Sequence, residues 1–366
     1  MDWTDTGYSY DISVHVVSQT NVDNTLGSLS GVQLSGLTIT ENYNSDSRIQ
    51  AKVTTVVKDG ESDGYIDQAR LRIVLSIPEK NLIKELITGY VSDISETSEH
   101  GYIKRSYSIE GTIWGLLDHK IVDPITITKG AKMIDVWTSL LSKLTKMQYS
   151  TDDAQDHSFN STVIYEQASL LSTVLFEISS GYSRMDTNGH GVITLSKYTA
   201  PSNRTPTRTI DYNDFRTLAI TPLDRSSSEY EAPGRAIVTA TISTEKNGET
   251  SQEIIVGSYD APATDRTSIE SRGYLRARSD SYSGNSEKPS KSELNALAKQ
   301  NWESEQNKGI EWSGSTVFSD LHEGDVVNLV APASKDATQI RIHKVLITTV
   351  STNLEDFTQS LTMKEV

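Results

Sequence analysis

Short runs in which apolar and polar residues alternate recur along this chain, and they limit its fold more than any other feature. Residues 11–17 show the pattern, with an apolar residue at every second position. A period of two predicts half-buried antiparallel strands. It places Arg70 and Arg72 on the polar face of one such strand. The pattern predicts a barrel or sandwich in the N-terminal third, built from residues 31–39, 49–57, 70–77, 85–95 and 102–114.

The middle of the chain changes to a helical period. Apolar residues recur every three or four positions in residues 129–147. The same spacing continues in residues 161–181, through Ile164, Ala168, Leu171, Leu175 and Ile178. Asn160 or Ser161 is expected to cap this second helix, and Gly181 is expected to end it.

Strand-like segments return after a proline-containing linker at residues 198–211. One more helix is predicted near the end of the chain, since Pro289 precedes it and Ser290 with Glu293 has the spacing of a capping box. The remaining segments are expected to be strands: residues 234–243, 252–259, 325–332, 339–351 and 357–366.

These changes of period predict an α+β fold that is mainly β. We expect an N-terminal β-barrel at 1–127, a small α/β domain at 128–200, a second β-barrel from 201–245 and 310–366, and an inserted β/α segment at 246–309. Two segments, 85–111 and 345–365, share a plan of Leu-Ile-Thr, Val-Ser, a polar turn and a final strand. This repeat indicates that the two β domains are related.

Composition excludes several classes of function. The 366 residues include no cysteine, which removes disulfides, thiolate nucleophiles and cysteine-based zinc sites. No run of about 18 apolar residues is present, so no transmembrane helix is expected. The net charge of −15 is the reverse of what a nucleic-acid-binding protein needs, and solubility is its simplest explanation.

The segment "DTNGHGVITL" resembles the start of a calcium-binding loop. Asp186, Asn188 and Gly191 match positions one, three and six of the EF-hand spacing. However, Lys197 stands where a bidentate glutamate is required, and a strand follows where a helix is required. We therefore predict a hairpin with Asn188 and Gly189 in a turn of positive φ, and no calcium site.

Other candidate sites are equally weak. The segment "GESDG" spells a nucleophile elbow, but a strand follows it, so Ser62 is interpreted as a loop residue. The seven histidines show no metal-binding spacing. Carboxylates are plentiful, yet nothing selects a catalytic pair. No catalytic residue, metal ligand, cofactor-binding residue or cofactor is therefore expected.

The order of features in the second half resembles that of a known family. The features are the strand after Gly191 and the segments "KYTAPSNRTPTRTID", "YEAPGRAIVTATI", "SRGYLRAR", "SELNALAKQNWESEQ", "LHEGDVVNLV" and "FTQSLTMKEV". In this order they resemble the tail-tip hub, or minor tail protein, of long-tailed bacteriophages of Gram-positive bacteria. The baseplate hub of contractile phages shares that fold. The resemblance covers residues 186–366 by motif and the whole chain by domain order, although relatives have a linker richer in proline and aromatic residues.

The resemblance implies two tail-tube-like barrels, an α/β domain between them and an insertion. It also implies a structural virion protein without enzymatic activity, located at the tail tip and assembled in the cytoplasm of the host bacterium. Its implied partners are the distal tail protein, the tape-measure protein and receptor-binding or fibre proteins. DNA would pass through its channel during ejection without specific binding.

Two hypotheses and two alternatives accompany this interpretation. Two similar barrels per chain predict a homotrimer with a pseudo-sixfold ring, because three chains then offer six nearly equivalent faces. A DNA path predicts excess acidic residues on the inner wall, since carboxylates repel phosphates. The first alternative is a tail-tip glycosidase or peptidase that degrades the host wall. The second is a cellular adhesin or the hub of a contractile injection system that is not a phage.

Overall fold

Strands dominate the structure. The computed structural model describes residues 9–43, 45, 47–211, 223–227, 232–246, 249–265, 267–282, 289–306, 310–332 and 339–366. Strands hold 50% of the described residues and helices 15%, so the prediction of a mainly β chain is confirmed. Within these described ranges, no helix is both long and apolar enough to cross a membrane.

Seven antiparallel strands form the N-terminal β unit: β1 (Asp11–Val17), β2 (Thr25–Ser28), β3 (Val32–Asn42), β4 (Ile49–Lys58), β5 (Arg70–Ile77), β6 (Leu82–Glu99) and β7 (Tyr102–Gly111). They lie in the order β2-β1-β5-β6-β7-β4-β3. Leu71, Ile73 and Tyr107 belong to the buried core of this unit. The apolar positions of the alternating pattern therefore face inward, as predicted.

Strand β5 departs from the half-buried pattern, because both of its faces are covered. Arg70 is 1% exposed and Arg72 is 6% exposed. Arg70 donates to the Tyr90 hydroxyl at 2.7 Å, and Arg72 donates to the carbonyl oxygens of Val22 at 2.5 Å and His190 at 3.3 Å. The arginine face of β5 is thus a packing surface for the next domain, and the expectation of a polar, exposed face is wrong.

That next domain contains α1 (Trp114–Leu117), β8 (Ile125–Ile127), α2 (Met133–Leu144), β9 (Tyr149–Ser150), β10 (Val163–Tyr165), α3 (Leu171–Ser179), β11 (Ser183–Thr187) and β12 (Ile193–Lys197). Trp137 and Leu141 of α2 share a buried core with Leu175 of α3 and Ile193 of β12. Gly181, with φ of 80°, follows the end of α3 and allows the chain to turn into β11.

Helix α3 is shorter than the predicted helix across residues 161–181. Strand β10 pairs with β8 and includes Ile164, so this part of the apolar repeat is extended rather than helical. Ala168 has φ of 69°, a left-handed conformation that interrupts a right-handed helix. Asn160 and Ser161 therefore do not cap α3, which corrects the predicted start.

The remaining elements are β13 (Thr209–Asp211), β14 (Asp224–Ser227), β15 (Arg235–Lys246), β16 (Glu249–Asp260), α4 (Ile269–Arg272), β17 (Ala277–Ser281), α5 (Lys291–Gln306), β18 (Ile310–Val317), β19 (Val326–Pro332), β20 (Ile340–Asn353) and β21 (Thr358–Glu365). Strands β15, β16 and β17 form a separate sheet. Strand β15, over residues 235–246, pairs with β16 and β17 of this sheet.

Helix α5 covers this separate sheet and begins as predicted. The backbone N–H of Ser290 donates to Glu293 Oε2 at 2.7 Å, and the backbone N–H of Glu293 donates to Ser290 Oγ at 3.2 Å. These two reciprocal bonds are a capping box. Leu294, Ala298 and Trp302 of the helix pack in one cluster with β15.

The C-terminal strands outside the insertion repeat the strand order of the N-terminal unit. The C-terminal unit has the strand order β13-β19-β20-β21-β18-β14. The N-terminal unit has the equivalent order β1-β5-β6-β7-β4-β3. Each strand also holds the same place along the chain as its counterpart. One pairing differs in direction: β13 is parallel to β19, whereas β1 is antiparallel to β5.

The segments of the predicted repeat lie in equivalent hairpins, β6–β7 and β20–β21. Each hairpin has a bulge in its first strand, at Ser92 in β6 and at Thr348 in β20. Aligning the bulges places Tyr90 at the position of Leu346. This alignment differs by four residues from the one in which the two Leu-Ile-Thr triplets coincide. Because side chains alternate with a period of two, a shift of four leaves each one on its proper face.

Strand β3 pairs with β20, so the strands of both units form one 13-stranded sheet. Within the described part of the chain no closed barrel is found, which corrects the expectation of two barrels. The physical reason lies in β3, whose outer edge over residues 38–42 is occupied by the other unit. That edge is therefore not available to close its own sheet.

Candidate assembly site

The two β units are joined edge to edge. Residues 38–42 of β3 pair with residues 349–353 of β20, and the hydroxyl oxygens of Thr40 and Ser351 are 3.4 Å apart. Strand β19 pairs with β20 only up to Leu346, so it leaves the later part of β20 open to β3. At this joint, β20 of the C-terminal unit pairs with the edge strand β3 of the N-terminal unit.

The N-terminal unit has the same opening, and no strand of the described residues fills it. Strand β5 pairs with β6 only as far as Tyr90, and the residues from Ser92 to Glu99 are exposed. Strand β14, the counterpart of β3, pairs with β18 alone in the part of the chain that the structure describes. At this place each unit therefore presents an open strand edge, and such edges bind other strands through their backbone N–H and C=O groups.

A buried carboxylate holds the exposed hairpin in place. The Asp63 side chain, which is 1% exposed, accepts hydrogen bonds from Thr55 at 2.8 Å, Tyr107 at 2.5 Å and Arg105 at 3.1 Å. Arg105 also donates to Glu96 of β6 at 2.8 Å. Burial opposes ionisation of Asp63, but the bonds from Tyr107 and Thr55 outweigh it and hold the pKa of Asp63 below its usual value. These contacts tie the open edge of β6 to the interior of its unit.

Asp63 belongs to the "GESDG" segment, where the spacing of a nucleophile elbow made Ser62 the candidate residue. Ser62 is exposed in the loop between β4 and β5, and a strand follows it. The interpretation as a loop residue is therefore confirmed. The sequence carries no clear signal for Asp63, because two of its partners, Arg105 and Tyr107, lie more than 40 residues away in β7.

Charged groups link the N-terminal unit to the loop before β19. His322 Nδ1 lies 2.9 Å from Glu41 Oε1, and His322 Nε2 lies 3.3 Å from Asp320 Oδ1. Lys84 pairs with Asp320. Burial alone would lower the pKa of His322, but its hydrogen bonds to Asp320 and Glu41 raise this pKa to about 10. The protonated imidazole thus adds an ionic link to the strand pairing between the units.

The stability supplied by this link is expected to fall as the pH rises from about 6.5 to about 10. A raised pKa in the folded state means that the contribution is complete below the unfolded pKa and is lost as the pH passes the folded one. The His322 side chain is 44% exposed, so solvent screening limits the loss to about 1–2 kcal/mol.

Urea unfolding at about pH 6 and about pH 9.5 measures this effect. The wild-type protein is expected to lose more stability between the two values than His322→Gln, which cannot be protonated. The variant also serves as the control for all other titrating groups. Equal losses in the two proteins would show that the ionic link does not stabilise the junction.

The segment that resembles a calcium loop is a hairpin docked on the N-terminal unit. Strands β11 and β12 pair antiparallel, as predicted. Positive φ occurs at Gly191 (88°) and not at Asn188 or Gly189, which corrects the predicted turn. Gly189 has another role, because a Cβ there would lie 1.9 Å from the carbonyl oxygen of Glu85. Searching the described ranges finds no group of three His, Asp or Glu residues able to hold a metal ion.

A cleft of about 260 Å³ opens beside the junction and is lined by several carboxylates, including Glu41, Asp186 and Glu323. The Glu323 side chain is 6% exposed and accepts a hydrogen bond from Arg184 at 2.5 Å. Burial, together with the nearby charge of Asp186, raises the pKa of Glu323 to about 7. Two neighbouring carboxylates, one of them with a raised pKa, resemble the paired carboxylates of a hydrolase.

Known proteins resemble this chain in fold but not in sequence. No family profile and no curated protein matches the sequence. A tail protein from Neisseria meningitidis MC58 matches with a TM-score of 0.65 at 12% identity, covering 98% of this chain and 97% of that chain. A tail protein of prophage MuSo2 from Shewanella oneidensis matches with a TM-score of 0.64 at 10% identity, covering 97% and 98%.

A component of the E. coli type VI secretion system, which is itself similar in structure to the T4 bacteriophage tail proteins gp27 and gp5, also matches. Its TM-score is 0.51 at 12% identity, and the match covers 98% of this chain and 77% of that chain. The chain therefore has the fold of phage tail proteins and hub-like secretion components. The resemblance that the sequence indicated is confirmed at this level.

Proposed function

We propose that this chain, which has a tail-protein fold, is a structural hub at the tip of a bacteriophage tail and has no enzymatic activity. The observation that carries the proposal is the repeated strand order of the two β units. Such a hub closes the tail tube and opens for DNA ejection. As a virion component assembled in the bacterial cytoplasm, it anchors the distal tail protein, the tape-measure protein and the receptor-binding or fibre proteins.

The hub is proposed to be a homotrimer in which the two related, barrel-like β units alternate around a pseudo-sixfold ring. Two units of equal strand order give three chains six similar positions, and a closed ring requires such a repeating rotation. The β3–β20 joint supplies one of the two contacts that the ring needs. The α/β domain and the insertion lie outside the ring or at one end of it.

The proposed domains follow the strand pairing. The N-terminal unit is assigned to 1–112, the α/β domain with α1 and β8 to 113–200, the second unit to 201–233 with 310–366, and the insertion to 234–309.

Light scattering on the purified protein tests the assembly. We expect a mass of about 121 kDa, three times the 40.4 kDa of one chain, and ring-shaped particles in electron micrographs. Because acidic residues are proposed to line the channel, the trimer is also expected not to retain duplex DNA near physiological salt. A monomer, a true hexamer of chains, or tight DNA binding would contradict the proposal.

The alternative that this protein is a wall-degrading enzyme is motivated by the carboxylate-lined cleft. Incubating the protein with host peptidoglycan and surface polysaccharide tests it, with Glu323→Gln and Glu41→Gln as the informative variants. We expect no turnover by any of the three proteins. Turnover by the wild type that either substitution abolishes would establish a wall-degrading hydrolase and overturn the structural assignment.

The similarity to a type VI secretion component leaves a second alternative, the hub of a contractile injection system that is not a phage. The two cases differ in their genes and particles. A tape-measure gene directly upstream and particles that contain DNA support the phage hub.

A further inference from the structure

We propose that the open edge of β6 pairs with strand β14 of a second copy of this chain. This inference rests on the proposed ring and names the contact that would close it. The contact would reproduce, between two copies, the β3–β20 joint that already exists within one. Each copy offers one open β14 edge and one open β6 edge, so a head-to-tail ring uses each of these two edges once.

The register of this contact follows from the bulges. With Ser92 aligned on Thr348, residues 94–97 of β6 take the positions of residues 350–353 of β20. On the other strand, the pairings with β4 and β18 align residues 224–227 of β14 with residues 38–41 of β3. Transferring the observed register of the internal joint therefore fixes which residues meet.

The transferred register brings chemically matched residues together. It places Glu96 opposite Arg225 and Ser95 opposite Ser226, in place of the internal pairs Thr352–Ile39 and Ser351–Thr40. Opposite charges directly across two antiparallel strands stabilise the pairing. The register of the internal joint, transferred unchanged to β6 and β14, thus predicts an ion pair between Glu96 and Arg225.

Both members of the predicted ion pair are prepared for it. The guanidinium of Arg225 lies over the Trp312 ring at 5.4 Å, and its Nε is buried with no hydrogen-bond partner among the described residues. The Glu96 side chain is 48% exposed, although it already accepts from Arg105. Ile94, an apolar residue that is 43% exposed, lies on the same edge and would be covered by the incoming strand. A second copy thus supplies what each edge lacks.

Cysteine cross-linking tests the contact directly, because the chain has no cysteine of its own. Ser95→Cys combined with Ser226→Cys places two thiols on opposed residues, at the Cα separation of about 5 Å that a disulfide requires. After mild oxidation, non-reducing gels should show covalently linked dimers and trimers. Each single variant should run as one chain.

Two matched controls accompany this variant. The first combines Thr40→Cys with Ser351→Cys, which are opposed at the β3–β20 joint inside one chain. This variant should form an internal disulfide and lose its free thiols without linking two chains. Ser98→Cys with Ser226→Cys moves one thiol three residues along β6, about 10 Å away, and should not link. Equal linking by the Ser95 and Ser98 variants would overturn the register.

Mass measurement separates failure of this contact from failure of the proposed function. If the protein is a trimer and the internal control forms its disulfide, absence of the Ser95–Ser226 link overturns the strand pairing and leaves the hub intact. A monomer overturns both.

Charge reversal gives an independent readout. Glu96→Arg and Arg225→Glu should each raise the trimer dissociation constant about tenfold or more, and the double variant should recover most of the loss. Unchanged dissociation in both single variants would overturn the ion pair.

Discussion

Replacing Asp63 with alanine is expected to lower the free energy of unfolding by about 3–5 kcal/mol. The carboxylate is 1% exposed and accepts hydrogen bonds from three side chains. Its removal leaves Thr55 and Tyr107 without their acceptor and the Arg105 guanidinium with Glu96 as its remaining carboxylate. The loss should be greatest above about pH 4, because a lowered pKa supplies stability that disappears as the pH falls.

Urea unfolding of Asp63→Ala measures this loss, with Asp59→Ala as the matched control. Asp59 lies at the start of the same loop but is exposed, so its substitution should change stability by less than about 0.5 kcal/mol. If the two variants are equally stable, the buried network around Asp63 does not hold the hairpin.

Replacing Arg72 with methionine is expected to cost roughly 2–4 kcal/mol and to loosen the α/β domain from the N-terminal unit. Methionine can fill much of the buried volume but cannot donate. The substitution removes the bonds of Arg72 to Thr88, to Glu85 at 2.9 Å, and to the carbonyl oxygens of Val22 and His190. The bond to His190 crosses to the α/β domain, so part of the loss should fall on the domain contact.

Hydrogen exchange and urea unfolding together test this prediction. Exchange should quicken in the β11–β12 hairpin of Arg72→Met, while the remote sheet of the insertion keeps its protection. Lys104→Met is the control, because Lys104 is an exposed cation on strand β7. Equal protection of the hairpin in Arg72→Met and the wild type would mean that Arg72 does not anchor the domain.

Local patterns in the sequence predicted much of the fold. The period of two identified the main strands, the capping box of Ser290 and Glu293 located α5, and the repeat pointed to the two equivalent hairpins. Each of these signals is contained within a few turns or one strand pair. The predicted hairpin at residues 186–197 was correct for the same reason, since lysine at residue 197 is incompatible with a calcium loop.

The errors arose where distant parts of the chain decide the outcome. Arg70 and Arg72 look like surface residues, but Tyr90 packs on Arg70, and Arg72 is buried against residues that include His190 of the α/β domain. Ile164 has the apolar spacing of a helix in the sequence, but the pairing of β10 with β8 keeps this residue extended. The pairing of β15 with β16 and β17 could not be predicted, because a period of two identifies a strand without identifying its neighbour. The open edges of β6 and β14 were not predictable, since they depend on where the pairing with β5 and β18 begins and ends.

The joint between β3 and β20 has a consequence for the folding of the chain. Thr40 and Ser351, which meet there, are separated by 311 residues. At about 5–20 residues per second, a ribosome would add the missing strand roughly 15–60 seconds after β3 emerges. During that interval the outer edge of β3 is exposed to other nascent chains, and contacts of such long sequence separation also form slowly. Synthesis rate and chaperone supply should therefore control the yield of soluble protein more than the stability of the finished fold does.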